Sequence, residues 1–323
     1  MIDIFQKKNE KNLFDNHAVD IKDVYDLFPV DRKIDQRPNS VSFINSPFHK
    51  IYRAPILPVK HRNYFWHLFR RLNLDLTWFD EFKKYWTTVL KGRPFWSVYD
   101  LFFLKNWYRI KFMDIEIEDT DDTFVHLDAW QRPEVLYQLL HLVCRESASE
   151  YAGILQRLKM AGCNIQKATF LEFGCATAPV TTALFEFWKG SRDLKVYISD
   201  IQTLSFNYAV YKFRNCSNVI PILLIPENDL LLQIDDRLDA IFCLTVFEHL
   251  NKPLETAKIF YNRLIHGGYL VFDYTISEGD GLDTHHGIRQ RNDTIDFLSR
   301  NFELLYGNLS KETGMGLTII RKK

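Results

Sequence analysis

The second half of the chain predicts an α/β fold: a seven-stranded, mostly parallel sheet closed by a C-terminal antiparallel hairpin, behind a mainly helical N-terminal region. Three observations carry this. Short apolar runs alternate with helical segments from Ala168 onward, the pattern of a sheet covered on both faces. The stretch A-T-F-L-E-F-G-C-A-T-A-P, Ala168 to Pro179, reads as a buried strand, a turn of small residues and a helix opening at Ala178-Pro179, since proline is tolerated at the first helical position. The chain then closes on two apolar runs, Phe302–Tyr306 and Gly314–Arg321, joined by a short turn.

Length and composition set the bounds. A chain of 323 residues suits two domains or one domain with a large extension. Hydrophobic residues at 46% and charged residues at 25% allow a sizeable core. The 41 basic residues balance the 41 acidic ones, which argues against a nucleic-acid partner held by broad phosphate neutralisation. Five cysteines without a CxxC pair read as free thiols in a reducing compartment. The N-terminus lacks an apolar signal core, and no stretch approaches the roughly 18–20 apolar residues of a membrane span. A cytoplasmic protein is the expectation.

In chain order, residues 1 to about 57 are polar and broken by prolines, which predicts irregular structure with short helices. Three aromatic-rich helices follow: Tyr64 to Leu72, Trp78 to Val89, and the run Phe95 to Trp107 after Pro94. The bases His61, Arg62, Arg70 and Arg71 beside the first of them suit a solvated face over an aromatic core. Six acids in nine residues, Asp114 to Asp122, lack the glycine turn of a metal loop and read as a solvated connection. The organisation expected is a helical region over 1–125, serving as lid, substrate wall or dimer surface, and a second region over 126–323.

Within that second region Pro133 opens a helix, and Ser147 to Glu150 has the form of a capping box that starts another, stopping near Gly162. Beyond the helix after Pro179, strands are expected at Leu194–Ser199, Val219–Leu224, Leu238–Cys243 and Tyr269–Tyr274. Helices are expected at Leu204–Arg214, Leu254–Leu264 and Thr294–Arg300, the second of these ending at Gly267-Gly268.

In open α/β sheets ligands bind beyond the carboxyl ends of the strands. The informative residues sit there: Glu172-Phe-Gly174, Asp200, Glu227-Asn228-Asp229, and Cys243-Leu-Thr-Val-Phe-Glu248-His249. A turn of small residues before a helix N-terminus lets backbone N–H groups approach a ligand. An acid closing the second strand suits ribose hydroxyls.

On these residues the chain, from about Thr169 to Lys323, resembles the class I S-adenosylmethionine-dependent methyltransferases, whose fold is Rossmann-like. L-E-F-G-C-A-T-A-P is similar to their glycine-rich first motif, Y-I-S-D-I to their ribose-binding acid, and L-D-A-I-F-C-L-T-V-F-E-H-L, with H-G-G-Y-L-V-F-D-Y after it, to their later motifs. The resemblance implies S-adenosyl-L-methionine as cofactor. Glu172 is then expected near the methionine amino group, Gly174 and Ala176 where the backbone passes the cofactor, and Asp200 on the ribose. Glu227, Asn228 and Asp229 flank the adenine, Leu244 and Thr245 lie beside the methionine moiety, and Cys175 and Ile201 belong to the same two binding motifs. The family's second and third glycines are here Ala176 and Ala178, a tolerable change if neither position needs a positive φ.

The methyl acceptor is expected to be a small-molecule oxygen or nitrogen, in a biosynthetic or glycan intermediate. His285 and His286, in the loop E-G-D-G-L-D-T-H-H-G with Asp280 and Asp283, are candidates for a catalytic base. A metal site or a solvated loop are the other readings of that stretch. His249 is a third candidate, with an architectural alternative. Two rival functions stand beside methyl transfer: a catalytically silent binding protein that keeps the fold, and a nicotinamide oxidoreductase. The latter is disfavoured by the lack of G-x-G-x-x-G spacing and by the terminal hairpin.

Overall fold

The computed structural model describes residues 77–90, 92, 98–113, 130, 133–145, 148–188, 193–224, 234–275, 283–312 and 314–323. The expected helix over Tyr64 to Leu72, the acidic connection, Glu227 to Asp229 and Asp280 lie outside them.

Four helices come first: α1 Thr77–Thr88, α2 Val98–Met113, α3 Leu136–Arg145 and α4 Ala148–Met160, with a 3-10 turn Pro133–Val135 leading into α3. The alternating part runs β1 Thr169–Phe173, α5 Pro179–Trp188, β2 Lys195–Asp200, α6 Leu204–Phe213, β3 Val219–Leu223 and β4 Leu238–Cys243. After a 3-10 turn Phe247–His249 come α7 Pro253–Arg263, β5 Leu264–Tyr274, α8 His285–Arg289, α9 Arg291–Asn301, β6 Phe302–Tyr306 and β7 Met315–Lys322. The seven strands form one sheet of order β3-β2-β1-β4-β5-β7-β6. β1 to β5 are mutually parallel and β7 runs antiparallel to both β5 and β6. The strand order reverses between β1 and β4, which makes their carboxyl ends the switch point of the sheet.

The strands are apolar on both sides because both faces are covered. In β4, Ala240 and Phe242 join one core cluster while Ile241 and Cys243 join the other; β5 divides the same way, Tyr269 and Val271 against Leu270, Phe272 and Tyr274. The period-2 side-chain alternation of a strand produces this split. A third cluster ties the leading helices to the sheet region: Phe82 and Tyr85 of α1 lie 5.5 and 5.0 Å, ring to ring, from Tyr208 of α6, with Leu101, Leu104, Leu136 and Leu140 around them.

The structure departs from expectation in two places. Gly267-Gly268 does not end a helix: α7 stops at Arg263 and β5 begins at Leu264. Gly267, at φ 76°, lies in an irregular stretch where the β4–β5 register shifts between Leu238 and Ala240, the place a glycine takes in a strand. Ala176 and Ala178 both adopt positive φ, 45° and 54°, so the condition under which their methyl groups would be harmless is not met. Among the described residues, no helix is long and apolar enough to cross a membrane, and Cys163, Cys175, Cys216 and Cys243 are free thiols.

Candidate active site

The turn after β1 alternates in hand. Gly174, Ala176 and Ala178 have φ of 62°, 45° and 54°, while Cys175 and Thr177 between them stay at negative φ. Alternation of this kind curls successive N–H groups into an anion-binding concavity. A left-handed L-residue costs roughly 1–2 kcal/mol, so the two alanines store strain here. Gly174 admits no side chain at all, because a Cβ there would run into Val246. The turn is held by Cys175 N–H donating to Ser199 O at 3.0 Å and Ala178 N–H to Cys175 O at 2.6 Å.

Two carboxylates flank it. Glu172 accepts from the N–H of Val180 and of Thr181, both at 2.9 Å, and from Thr181 Oγ1 at 2.6 Å. Both oxygens therefore cap the N-terminus of α5, which satisfies donors that a helix start leaves open. Burial pushes Glu172 up to about 7, against the pull of those hydrogen bonds and of Lys212. Asp200 accepts from Ala176 N–H at 2.7 Å and from Ile201 N–H at 2.8 Å, so the acid at the end of β2 is tied directly to the turn after β1. Its burial raises it to about 6. From α6, Lys212 Nζ donates to Thr177 O at 2.8 Å and Thr182 Oγ1 at 2.7 Å, buttressing the same turn. Sequence reasoning did not single out Lys212; a lysine on the helix after the ribose-type acid was its only trace.

The other half of the site lies at the ends of β4 and β5. Leu244 packs against the core. Thr245 is exposed with φ 55°, its N–H donating to Asp273 Oδ1; a non-glycine residue held in this region carries backbone strain. Glu248 is 3% exposed, and burial, with Asp273 and Asp283 beside it, pushes it up to about 8. His249 Nδ1 stands 3.3 Å from Asp283 Oδ1, with Trp130 edge-on to its ring at 5.4 Å. Thr284 caps α8 through Gly287 N–H at 2.8 Å, and its own Oγ1 donates to Leu250 O at 2.8 Å. Gly287 abuts the Glu248 carbonyl so closely that a Cβ would overlap it.

Of the three histidines, His249 is thus joined to a carboxylate, His286 is half-buried and His285 is exposed. Asp273 and Glu248 were not assigned roles from sequence. Asp273 stands one residue before the end of β5 while Asp200 ends β2, and Glu248 precedes His249 directly, which are the signals that point to them. Glu227, Asn228 and Asp229 have no described positions. Among the described residues no group of three or more His, Cys, Asp or Glu side chains converges as metal ligands would.

No protein-family model matches this sequence, and no curated protein does. Solved structures do resemble it. The N-methyltransferase NodS from Bradyrhizobium japonicum WM9, in complex with S-adenosyl-L-homocysteine, is 14% identical over 55% of this chain and 88% of its own, with TM-score 0.39. An rRNA methylase from Streptococcus thermophilus is 18% identical over 52% and 94%, TM-score 0.37, and the pyocyanin biosynthetic protein PhzM 12% over 61% and 62%, TM-score 0.42.

Proposed function

We propose that this chain transfers a methyl group from S-adenosyl-L-methionine to an oxygen or nitrogen of a small molecule. The observation that carries the reading is the Asp200–Ala176 hydrogen bond of 2.7 Å, which joins the acid ending β2 to the alternating turn after β1 beside the switch point of the sheet. The residues fit the cofactor. Each Asp200 oxygen accepts one backbone N–H and keeps a lone pair suited to a ribose hydroxyl, and the turn's N–H groups suit a carboxylate. When bound, the cofactor supplies an electrophilic methyl on a sulfonium.

The protein's own part is alignment and proton removal. His249, steadied by Asp283, is the base we favour over His285 and His286, because a carboxylate that fixes one ring nitrogen sets the ring's orientation. The balanced charge of the chain supports a small-molecule acceptor rather than a nucleic acid. The N-terminal helical region is proposed as a lid, substrate wall or homodimer surface, and the cytoplasm as the setting.

One observation favours a second reading, a silent binding protein: two strained alanines stand in the turn, and both Asp200 oxygens are engaged by backbone. Calorimetric titration separates the readings. Binding of S-adenosylmethionine and S-adenosylhomocysteine, with no heat from NAD, supports methyl transfer; no binding of either sulfur compound overturns it.

A further inference from the structure

Lys212 is a long cation folded inward. Its Nζ donates to Thr177 O at 2.8 Å and to Thr182 Oγ1 at 2.7 Å, where a lysine on a helix more often carries its ammonium out to water. Both acceptor residues are buried. Thr177 stands between the two left-handed alanines, and Thr182 lies in the first turn of α5. Thr182 Oγ1 donates in turn to Ala178 O at 2.8 Å. One ammonium therefore reaches two successive carbonyls of the turn, Thr177 O directly and Ala178 O through Thr182.

The cation is seated before any ligand arrives. Nζ lies 5.6 Å from the centroid of the Tyr208 ring and 5.3 Å from that of Phe213, and Tyr208 packs against Phe82 and Tyr85 of α1. The rotamer freedom that a lysine loses on binding is thus given up in folding. Its charge is felt around the turn, for Lys212 pulls Glu172 and the Cys175 thiol downward against the burial that raises both.

The turn has need of such a charge. The N–H groups of Cys175, Ala176 and Ala178 also serve the protein, bonding Ser199 O, Asp200 Oδ2 and Cys175 O, while those of Val180 and Thr181 serve Glu172. With these donors shared, and with carboxyl groups on two sides, an anion drawn to the concavity depends on a cation close by.

Resting on the methyl-transfer reading, we propose that Lys212 is a positioning residue for the amino-acid end of the cofactor: from behind the turn it fixes the Thr177 and Ala178 carbonyls and supplies the positive potential that favours the cofactor's carboxylate, without touching the cofactor. The role is selective. The ribose is assigned to Asp200, so loss of Lys212 falls chiefly on the other end of the ligand.

The test is titration calorimetry on the full-length protein with two probes, S-adenosylhomocysteine and 5′-methylthioadenosine, which keeps the adenosine and the sulfur and lacks the amino-acid end. The parent is expected to bind the first more tightly. Lys212→Met, which keeps a straight side chain and removes charge and donors, is expected to weaken S-adenosylhomocysteine roughly 10–100-fold and methylthioadenosine by less than about threefold. Should Lys212→Met fail to fold, Thr182→Val carries the test, with a loss of about threefold or more confined to S-adenosylhomocysteine. Equal weakening of both probes overturns the inference, since the lysine then serves the fold alone, as does unchanged S-adenosylhomocysteine affinity in a folded variant. A parent that binds both probes equally overturns the inference and leaves the cofactor reading standing. A parent that binds neither counts against methyl transfer itself and takes the inference with it.

Discussion

His249 and Asp283 stand with Nδ1 and Oδ1 3.3 Å apart, joining the turn after β4 to the segment that opens α8. The contact is fixed from both sides, because Thr284 N–H donates to the Glu248 carbonyl at 2.9 Å and Gly287 allows the close approach. His249→Ala is expected to lower the methyl-transfer rate about 10²–10⁴-fold with cofactor affinity nearly unchanged. Asp283→Asn should lower it less, and His285→Ala little. Release of S-adenosylhomocysteine measures all three; full rate in His249→Ala with loss in a His285 or His286 variant would move the base onto α8.

Asp200 carries two loads, the backbone of the turn and the proposed ribose. Asp200→Ala should weaken S-adenosylmethionine by about 1–3 kcal/mol and also lower the melting temperature, because Ala176 and Ile201 lose their acceptor. Calorimetry and thermal melting read the two effects separately. Unchanged affinity in a folded variant would put the ribose elsewhere.

Ala176→Gly relieves a left-handed alanine at a half-buried position and should raise stability by about 0.5–1 kcal/mol after the entropy of the added glycine is deducted. Ala178→Gly should gain less, since the Ala178 methyl is fully buried in the core and its packing is lost. Gly174→Ala should cost about 2–5 kcal/mol, combining the φ of 62° with overlap on Val246. A denaturant series orders the three; a stability loss in Ala176→Gly would show that its methyl makes a needed contact.

Glu248 also predicts a pH effect on stability. Its folded value of about 8 lies above the ordinary 4.5, so between those pH values the unfolded chain has released a proton that the folded chain keeps. Stability contributed at this site therefore falls as pH rises from about 4.5 to about 8 and levels beyond. Glu172 and Asp200 act in the same direction over windows that end near 7 and 6, so the comparison is between variant and parent. Glu248→Gln should flatten the profile, matching the parent near pH 4.5 and exceeding it near pH 9 by on the order of 2–4 kcal/mol. Parallel melting curves across that range would mean that Glu248 is not buried as a neutral acid.

The sheet and its strand ends were legible in the chain because they rest on local properties. Apolar runs such as Leu238–Cys243, the punctuation of Gly174 and Pro179, and an acid at the close of Tyr197–Asp200 each declare themselves within a few residues. The β4/β5 end was not legible, since its content is pairwise and long-range. No periodicity tells that Asp283 meets His249 rather than solvent, that Thr245 N–H finds Asp273, or that both Glu248 carboxyl oxygens are buried with no side-chain or neighbouring hydrogen-bond partner among the described residues. The sign of φ at Ala176 and Ala178 was likewise a tertiary decision. Alanine by itself prefers negative φ, and only the anchoring of the turn by Asp200, Ser199 and Lys212, residues of β2 and α6, holds both alanines in the left-handed region.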